Sequence, residues 1–81
     1  MKLPRDISGL ELAKALRVFG YTVTRQTGSH VRLTTTQLGE HHVTVPIHPH
    51  LKIGTLSGVL AEVADHFTLD RDVVVKRLFE K

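Results

Sequence analysis

The sequence predicts an α+β fold in which three antiparallel strands carry helices on one face. Apolar residues recur every three or four positions near both ends of the chain, which is the helical period. Between these segments, residues 21–45 alternate apolar and polar side chains, which is the period of strands. The connections between the alternating segments are short, so consecutive strands are expected to pair antiparallel. The predicted order is α-β-β-β-α-α.

The first helix is predicted over residues 9–19, after a short extended lead-in. Ser8 and Glu11 have the spacing of a capping box, in which each side chain bonds the other residue's backbone N–H. Apolar residues follow at helical spacing as far as Phe19. Gly20 then stands where a left-handed residue ends a helix.

Three strands are predicted over residues 21–26, 30–35 and 41–45, because β-branched residues alternate with polar ones there. A turn at residues 28–29 makes the first two strands a hairpin. Pro46 closes the third strand, since proline cannot donate to a ladder.

Two helices follow a loop at residues 46–54. Thr55 is the predicted cap of the first of them, and a break is expected at residues 66–69. Asp70 or Thr68 is expected to cap the last helix.

Strand alternation assigns the two faces of the sheet. The face toward the helices is expected to carry Tyr21, Val23, Val31, Leu33, Val43 and Val45. The opposite, open face is expected to carry Thr22, Thr24, Gln26, His30, Arg32, Thr34, His42 and Thr44. Helices on one side of such a sheet give the shape of a double-stranded-RNA-binding domain, by analogy of fold alone.

The length of 81 residues predicts one domain over residues 1–81, with a core at about 8–69 and an extra helix at about 70–80. Cysteine is absent, which excludes disulfides, thiolate metal sites and a cysteine nucleophile. No apolar run is long enough for a membrane span, and the N-terminus lacks the pattern of a signal peptide. We therefore expect a cytoplasmic protein that does not contact membranes.

Histidine is the compositional anomaly: the chain has six, five of them between His30 and His50, with a net charge of +3. Histidine ligates metals and exchanges protons near neutral pH, so the cluster suggests a metal site or acid–base chemistry. The adjacent pair His41 and His42 is expected to point to opposite faces of a strand. The spacing matches no zinc pattern, so no metal or other cofactor is predicted.

The strongest candidates for catalytic and anion-binding residues surround the first hairpin turn. Gly28 permits a tight turn whose N–H groups can face an anion, and Ser29 adds a donor. His30 then begins the second strand on the open face, with Arg25 and Arg32 nearby. A proton-transfer group beside two cations suits cleavage of an RNA phosphodiester. From these residues alone, a solvated surface histidine remains the alternative.

Two further positions are weaker candidates. His48 follows the third strand, where it is either a second acid–base group or a residue whose ring orders the loop. Lys52 lies close to the start of the next helix and adds positive charge for RNA or a phosphate.

Three motifs in order resemble the HicA (YcfA-like) family of small toxins from type II toxin–antitoxin systems. They are Arg25-x-x-Gly28-Ser29-His30, Val45-Pro46-Ile47-His48 and Gly54-Thr55-Leu56. The resemblance implies a double-stranded-RNA-binding-like fold, metal-independent endoribonuclease activity on mRNA, and inhibition by a HicB-type antitoxin that covers the active site. The family's catalytic histidine corresponds to His30.

One departure from the family is Ser57-Gly58, where a basic residue is common. The extra last helix is expected to pack on the core or to form a homodimer. Two other functions remain open from the sequence, which are a non-catalytic RNA-binding module and an interaction protein that has lost catalysis.

Overall fold

A computed structural model describes residues 3–80 and confirms the α+β fold. Its three strands form one antiparallel sheet in the order β1-β2-β3, in the arrangement of a double-stranded-RNA-binding domain. The elements are α1 (Gly9–Ala15), a 3₁₀ helix (Leu16–Phe19), β1 (Thr22–Thr27), β2 (His30–Thr35), β3 (His41–Pro46), α2 (Ile53–Phe67) and α3 (Arg71–Phe79). The first two residues of the predicted lead-in lie outside the described residues.

The core lies between the helices and one face of the sheet. Alternate residues of β2 and β3 are buried, and the residues between them are exposed or partly exposed, as the alternation of side chains predicts. The fully buried side chains include Leu12, Leu16, Tyr21, Leu33, Val43, Val45, Leu56, Leu60, Val63 and Val74.

The predicted capping box of α1 is present. The Ser8 hydroxyl accepts from the Glu11 N–H at 3.0 Å, and the Glu11 carboxylate accepts from the Ser8 N–H at 2.9 Å. These bonds from the Ser8 backbone and side chain lower the pKa of Glu11. The helix covers the predicted residues 9–19, but it tightens to 3₁₀ geometry at Leu16 and ends at Gly20, whose φ is 83°.

Gly9 allows the start of α1 to pack directly on the chain that leaves β3. Its N–H donates to the His48 carbonyl at 2.9 Å. A Cβ at this position would collide with the Pro46 carbonyl oxygen and would lie 3.0 Å from the Ile47 Cα. A side chain at position 9 would therefore force apart the helix and the loop after β3.

The predicted cap of the second helix is wrong. The helix begins at Ile53, and Lys52 is its N-cap residue, with extended backbone and no side-chain cap bond. The predicted cap, Thr55, lies inside the first turn. The Lys52 carbonyl accepts the first bond of the helix, from the Leu56 N–H at 3.0 Å.

The break before the last helix is shorter than predicted. α2 continues through Phe67 and ends at Thr68, which adopts a left-handed conformation with φ 55°. Asp70 is the N-cap of α3, without a side-chain cap bond. α3 packs on the core through the buried Val74 and Val75.

The prediction for β1 is wrong at one position, Gln26. Val23 lies opposite the buried Leu33, on the helix side of the sheet as predicted, but it is 54% exposed because all six residues of β1 lie at the exposed edge of the sheet. A bulge between Val23 and Arg25 also shifts the pairing, so that Arg25 lies opposite Arg32 and Gln26 lies opposite the buried Val31. Arg25 therefore replaces Gln26 on the open face, because directly paired residues share a face.

Candidate functional site

His30 lies on the open face of the sheet, as predicted. It is the first residue of β2 and is exposed. It pairs with Thr27 of β1 and Pro46 of β3, so the ladder on both sides fixes its backbone. Within residues 3–80 its ring makes no hydrogen bond, which leaves both ring nitrogens free for a ligand.

The bulge in β1 brings both predicted arginines to His30. Arg25, Thr27, His30, Arg32 and Thr44 line one shallow depression of about 240 Å³, which we call the open-face pocket. Without the extra residue of the bulge, strict alternation would place Arg25 on the other face. The local irregularity of β1 therefore builds the pocket.

The two arginines of the open-face pocket are an unneutralised pair. Arg25 and Arg32 lie directly opposite each other on neighbouring strands, where like charges repel. The ion pairs within residues 3–80 are His42 with Glu40 and His50 with Asp6, so neither guanidinium has a carboxylate partner in that part of the chain. A bound anion would relieve the repulsion, and a phosphate matches the fork of guanidinium donors.

The hairpin turn beside the pocket is built from Gly28 and Ser29. Gly28 has φ 57°, in the left-handed region that glycine enters without steric cost. The Ser29 carbonyl accepts from the Ile47 N–H, which ties the turn to the segment after β3. Gly9 packs on that segment, so the start of α1 supports the turn indirectly.

His48 directly follows the segment that is bonded to this turn. Of its two predicted roles, ordering of the loop by the ring is not what the structure shows, and the acid–base role stays a prediction. Its backbone carbonyl, rather than its ring, orders the loop by accepting from Gly9. The exposed ring has no hydrogen-bond partner within residues 3–80. The Ile47 N–H is bonded to the Ser29 carbonyl, so His30 and His48 each directly follow one residue of the bonded pair.

Lys52 is not part of the open-face pocket. It lies at the start of α2, where it lines a separate surface depression with Leu3, Arg5, Asp6, Leu51 and Ile53. The predicted residues thus separate into one group around His30 and one isolated cation.

His42 shares the open face with His30 but is already engaged. Its Nδ1 lies 2.7 Å from the Thr34 hydroxyl, and its Nε2 lies 2.9 Å from a Glu40 carboxylate oxygen. The Thr34 hydroxyl continues the chain of bonds to Thr24 at 2.7 Å. Both ring nitrogens are therefore occupied, and an acidic side chain accompanies the ring. Sequence alternation indicated the face of His42 but gave no sign of these partners.

His41 lies on the helix side of the same strand, in a cluster with Tyr21 and His66. The Tyr21 hydroxyl lies 2.8 Å from His41 Nδ1, and the His41 ring stacks on His66 with 4.4 Å between centroids. His66 Nε2 donates to the Gln37 carbonyl at 2.9 Å. Burial, followed by the neighbouring His66, lowers the pKa of His41, whereas Glu62 and Asp65 oppose the shift and His42 adds to it.

The six histidines do not assemble a metal-binding group in the part of the chain that the structure describes. Within residues 3–80, no three histidine or acidic side chains come together in an arrangement that could hold a metal ion. Over the same residues, no helix has the length and apolar character needed to cross a membrane.

Comparison with known proteins identifies one family. The model of the HicA toxin of bacterial toxin–antitoxin systems matches residues 9–64, which include both arginines, the hairpin turn, His30 and the start of α2. No curated protein and no solved structure matched the chain.

Proposed function

The chain belongs to the HicA toxin family of bacterial toxin–antitoxin systems, and on this premise we propose that it is an endoribonuclease that cleaves mRNA with His30 as its proton-transfer group. The family also implies a protein antitoxin as partner. The observation that carries the proposal is the open-face pocket, where an exposed histidine lies beside two arginines, and none of the three side chains has a hydrogen-bond or ion-pair partner among residues 3–80.

The proposed reaction is an internal transesterification followed by hydrolysis. The His30 imidazole removes the proton of a ribose 2′-hydroxyl, and the 2′-oxygen attacks the adjacent phosphorus. The bond from phosphorus to the 5′-oxygen breaks, and this oxygen takes a proton from an acid. The products are a 2′,3′-cyclic phosphate, which water opens to a 3′-phosphate, and a 5′-hydroxyl. No metal is required for these steps.

Arg25 and Arg32 stabilise the negative charge that develops on the phosphate oxygens. The backbones of the two residues pair directly on neighbouring strands, which places both side chains at the same point of the open face. The Gly28–Ser29 turn adds backbone and hydroxyl donors at the edge of the pocket. Thr27 and Thr44 supply further polar lining.

Two assignments extend the site. His48 is the proposed acid for the leaving 5′-oxygen, because its ring is exposed and its segment is bonded to the turn before His30. Lys52 attracts RNA at a distance from the cleavage point, since it lies in a different depression. A HicB-type antitoxin that covers the open face would inhibit the enzyme by excluding RNA.

The test uses the purified chain, a synthetic RNA and excess chelator. We expect cleavage in the chelator, products that end in a 2′,3′-cyclic or 3′-phosphate, and a rate that depends on pH. His48→Ala is expected to slow cleavage of RNA but to spare an activated substrate whose leaving group needs no proton.

Two results would contradict the proposal. If the chain binds RNA with the usual loss of affinity at high salt but leaves it intact, the protein is a binding module. If cleavage ends in a 5′-phosphate and a 3′-hydroxyl, the 2′-hydroxyl is not the nucleophile and the role of His30 is wrong.

A further inference from the structure

The helix side of the sheet carries a second concave surface, away from the open-face pocket. The helices leave the inner face of β1 partly uncovered, and a groove of about 340 Å³ remains between β1 and α1. We call it the α1–β1 groove. It is lined by Leu10, Ala13, Lys14, Arg17, Tyr21, Thr22, Val23 and Leu33.

The groove exposes apolar side chains that a small soluble protein would otherwise bury. Leu10 is 55% exposed and Val23 is 54% exposed, and they line the groove from its two sides. An apolar concave surface with few polar groups is typical of a site for a protein segment rather than for RNA, whose outer surface is charged phosphate.

The charges around the groove indicate which kind of protein segment would bind there. Lys14 and Arg17 lie on successive turns of the first helical segment, and none of the lining residues is acidic. The nearest carboxylate in the helix, Glu11, is already engaged with Ser8 in the capping box. The positive groove is therefore complementary to carboxylates that flank an apolar anchor.

We propose that the α1–β1 groove binds an acidic segment of the antitoxin, which inserts an apolar side chain between Leu10 and Val23. The inference rests on the proposed function only in taking the antitoxin as the partner, and it does not depend on RNA cleavage. The antitoxin would then bind the toxin through contacts in the groove as well as through contacts that cover the open-face pocket.

The test measures the affinity of the chain for its cognate antitoxin protein, purified alone. Leu10→Asp and Lys14→Glu are expected to weaken binding at least about tenfold, because the first places charge against the anchor and the second repels the acidic flanks. Both variants change exposed positions, and each is expected to cleave RNA at the parent rate.

The controls match these positions. Val18→Asp changes a residue of the same helical segment that is 58% exposed but does not line the groove. Lys76→Glu reverses a lysine in the last turn of α3, as Lys14→Glu does in the last turn of α1. Each control is expected to bind the antitoxin within about twofold of the parent, and circular dichroism checks the fold of every variant.

Several outcomes would overturn the inference. Groove variants that bind the antitoxin as tightly as the controls would show that the antitoxin contacts other surfaces. Weaker RNA binding with unchanged antitoxin affinity would make the groove part of the RNA site, and a dimer lost in Leu10→Asp alone would make its occupant a second copy. If the parent chain does not cleave RNA but Leu10→Asp still weakens antitoxin binding, the ribonuclease proposal fails and the groove proposal stands.

Discussion

His30 and His41 each begin a strand of the same sheet, yet their surroundings are opposite. His30 faces solvent with two arginines in its pocket, and its ring has no hydrogen-bond partner in the described part of the chain. His41 faces the helices, with its Nδ1 bonded to Tyr21 and its ring stacked on His66. For these two residues, the side of the sheet on which the ring lies separates a histidine exposed to a ligand from one packed into the structure, whereas His42 shows that a ring on the open face can also be engaged by its neighbours.

The fold was predictable where local patterns and tertiary packing agree. The capping box of α1, the left-handed Gly20 and the bounds of β2 follow from patterns within a few residues, and the structure confirms them. Strand alternation also placed His30 and Arg32 correctly on the open face.

The rest depends on geometry that the sequence does not carry. Nothing in the sequence around Thr24 signals the bulge, because residues 24–27 are all polar and offer no alternation from which a change of face could be recognised. The exposure of Val23 depends on how far the helices reach across the sheet, and the stack of His41 on His66 joins residues 25 positions apart in the chain. The helix cap at Lys52 has no preferred capping side chain.

Moving one arginine from the open face to the helix side tests the contrast between the two faces of the sheet. The double variant Arg25→Gln with Gln26→Arg keeps the composition but moves the guanidinium off the open face. We expect RNA cleavage to fall about tenfold or more, because one cation no longer supports the phosphate. Cleavage at the parent rate in a single-turnover assay would show that position 25 does not contribute through the pocket.

Gly9→Ala tests the support beneath the turn that precedes His30. The added methyl collides with the Pro46 carbonyl, so unfolding in urea is expected to show a loss of about 1–3 kcal/mol. Gly58→Ala is the matched control, since its Cβ meets no atom within 4 Å and alanine favours a helix interior by about 0.5–1 kcal/mol. Opposite signs are expected, and equal losses would mean that the close approach at Gly9 is unimportant.

Tyr21→Phe tests the hydrogen bond that engages His41. Loss of the hydroxyl is expected to cost about 1 kcal/mol of unfolding free energy at neutral pH. Burial, with a smaller effect of Glu62, raises the pKa of Tyr21 to about 12 from 10.0, so the parent should lose stability as pH rises from 10 through 12. Tyr21→Phe should not lose stability over this pH range. If its free energy of unfolding falls between pH 10 and 12 as in the parent, another group causes the loss.

His41 should make the free energy of unfolding depend on pH below neutrality. We expect this effect to be smaller than the alkaline effect of Tyr21. Because its pKa is lowered in the folded chain from 6.5, the unfolded chain binds the proton more readily. The free energy of unfolding should therefore be full above pH 6.5 and decrease as pH falls through the lowered value. In His41→Gln this decrease should be smaller, whereas an identical pH profile would show that other groups cause it.

The central claim is tested most directly by the rate of RNA cleavage in His30→Ala and His41→Ala, corrected for the folded fraction of each. We expect His30→Ala to cleave about 10²–10⁴-fold more slowly than the parent with little change in melting temperature. We expect His41→Ala to melt at a lower temperature and to cleave at the parent rate per folded molecule. Parent-like cleavage by His30→Ala, or a selective loss of cleavage in His41→Ala, would contradict the assignment of the reacting histidine to the open face.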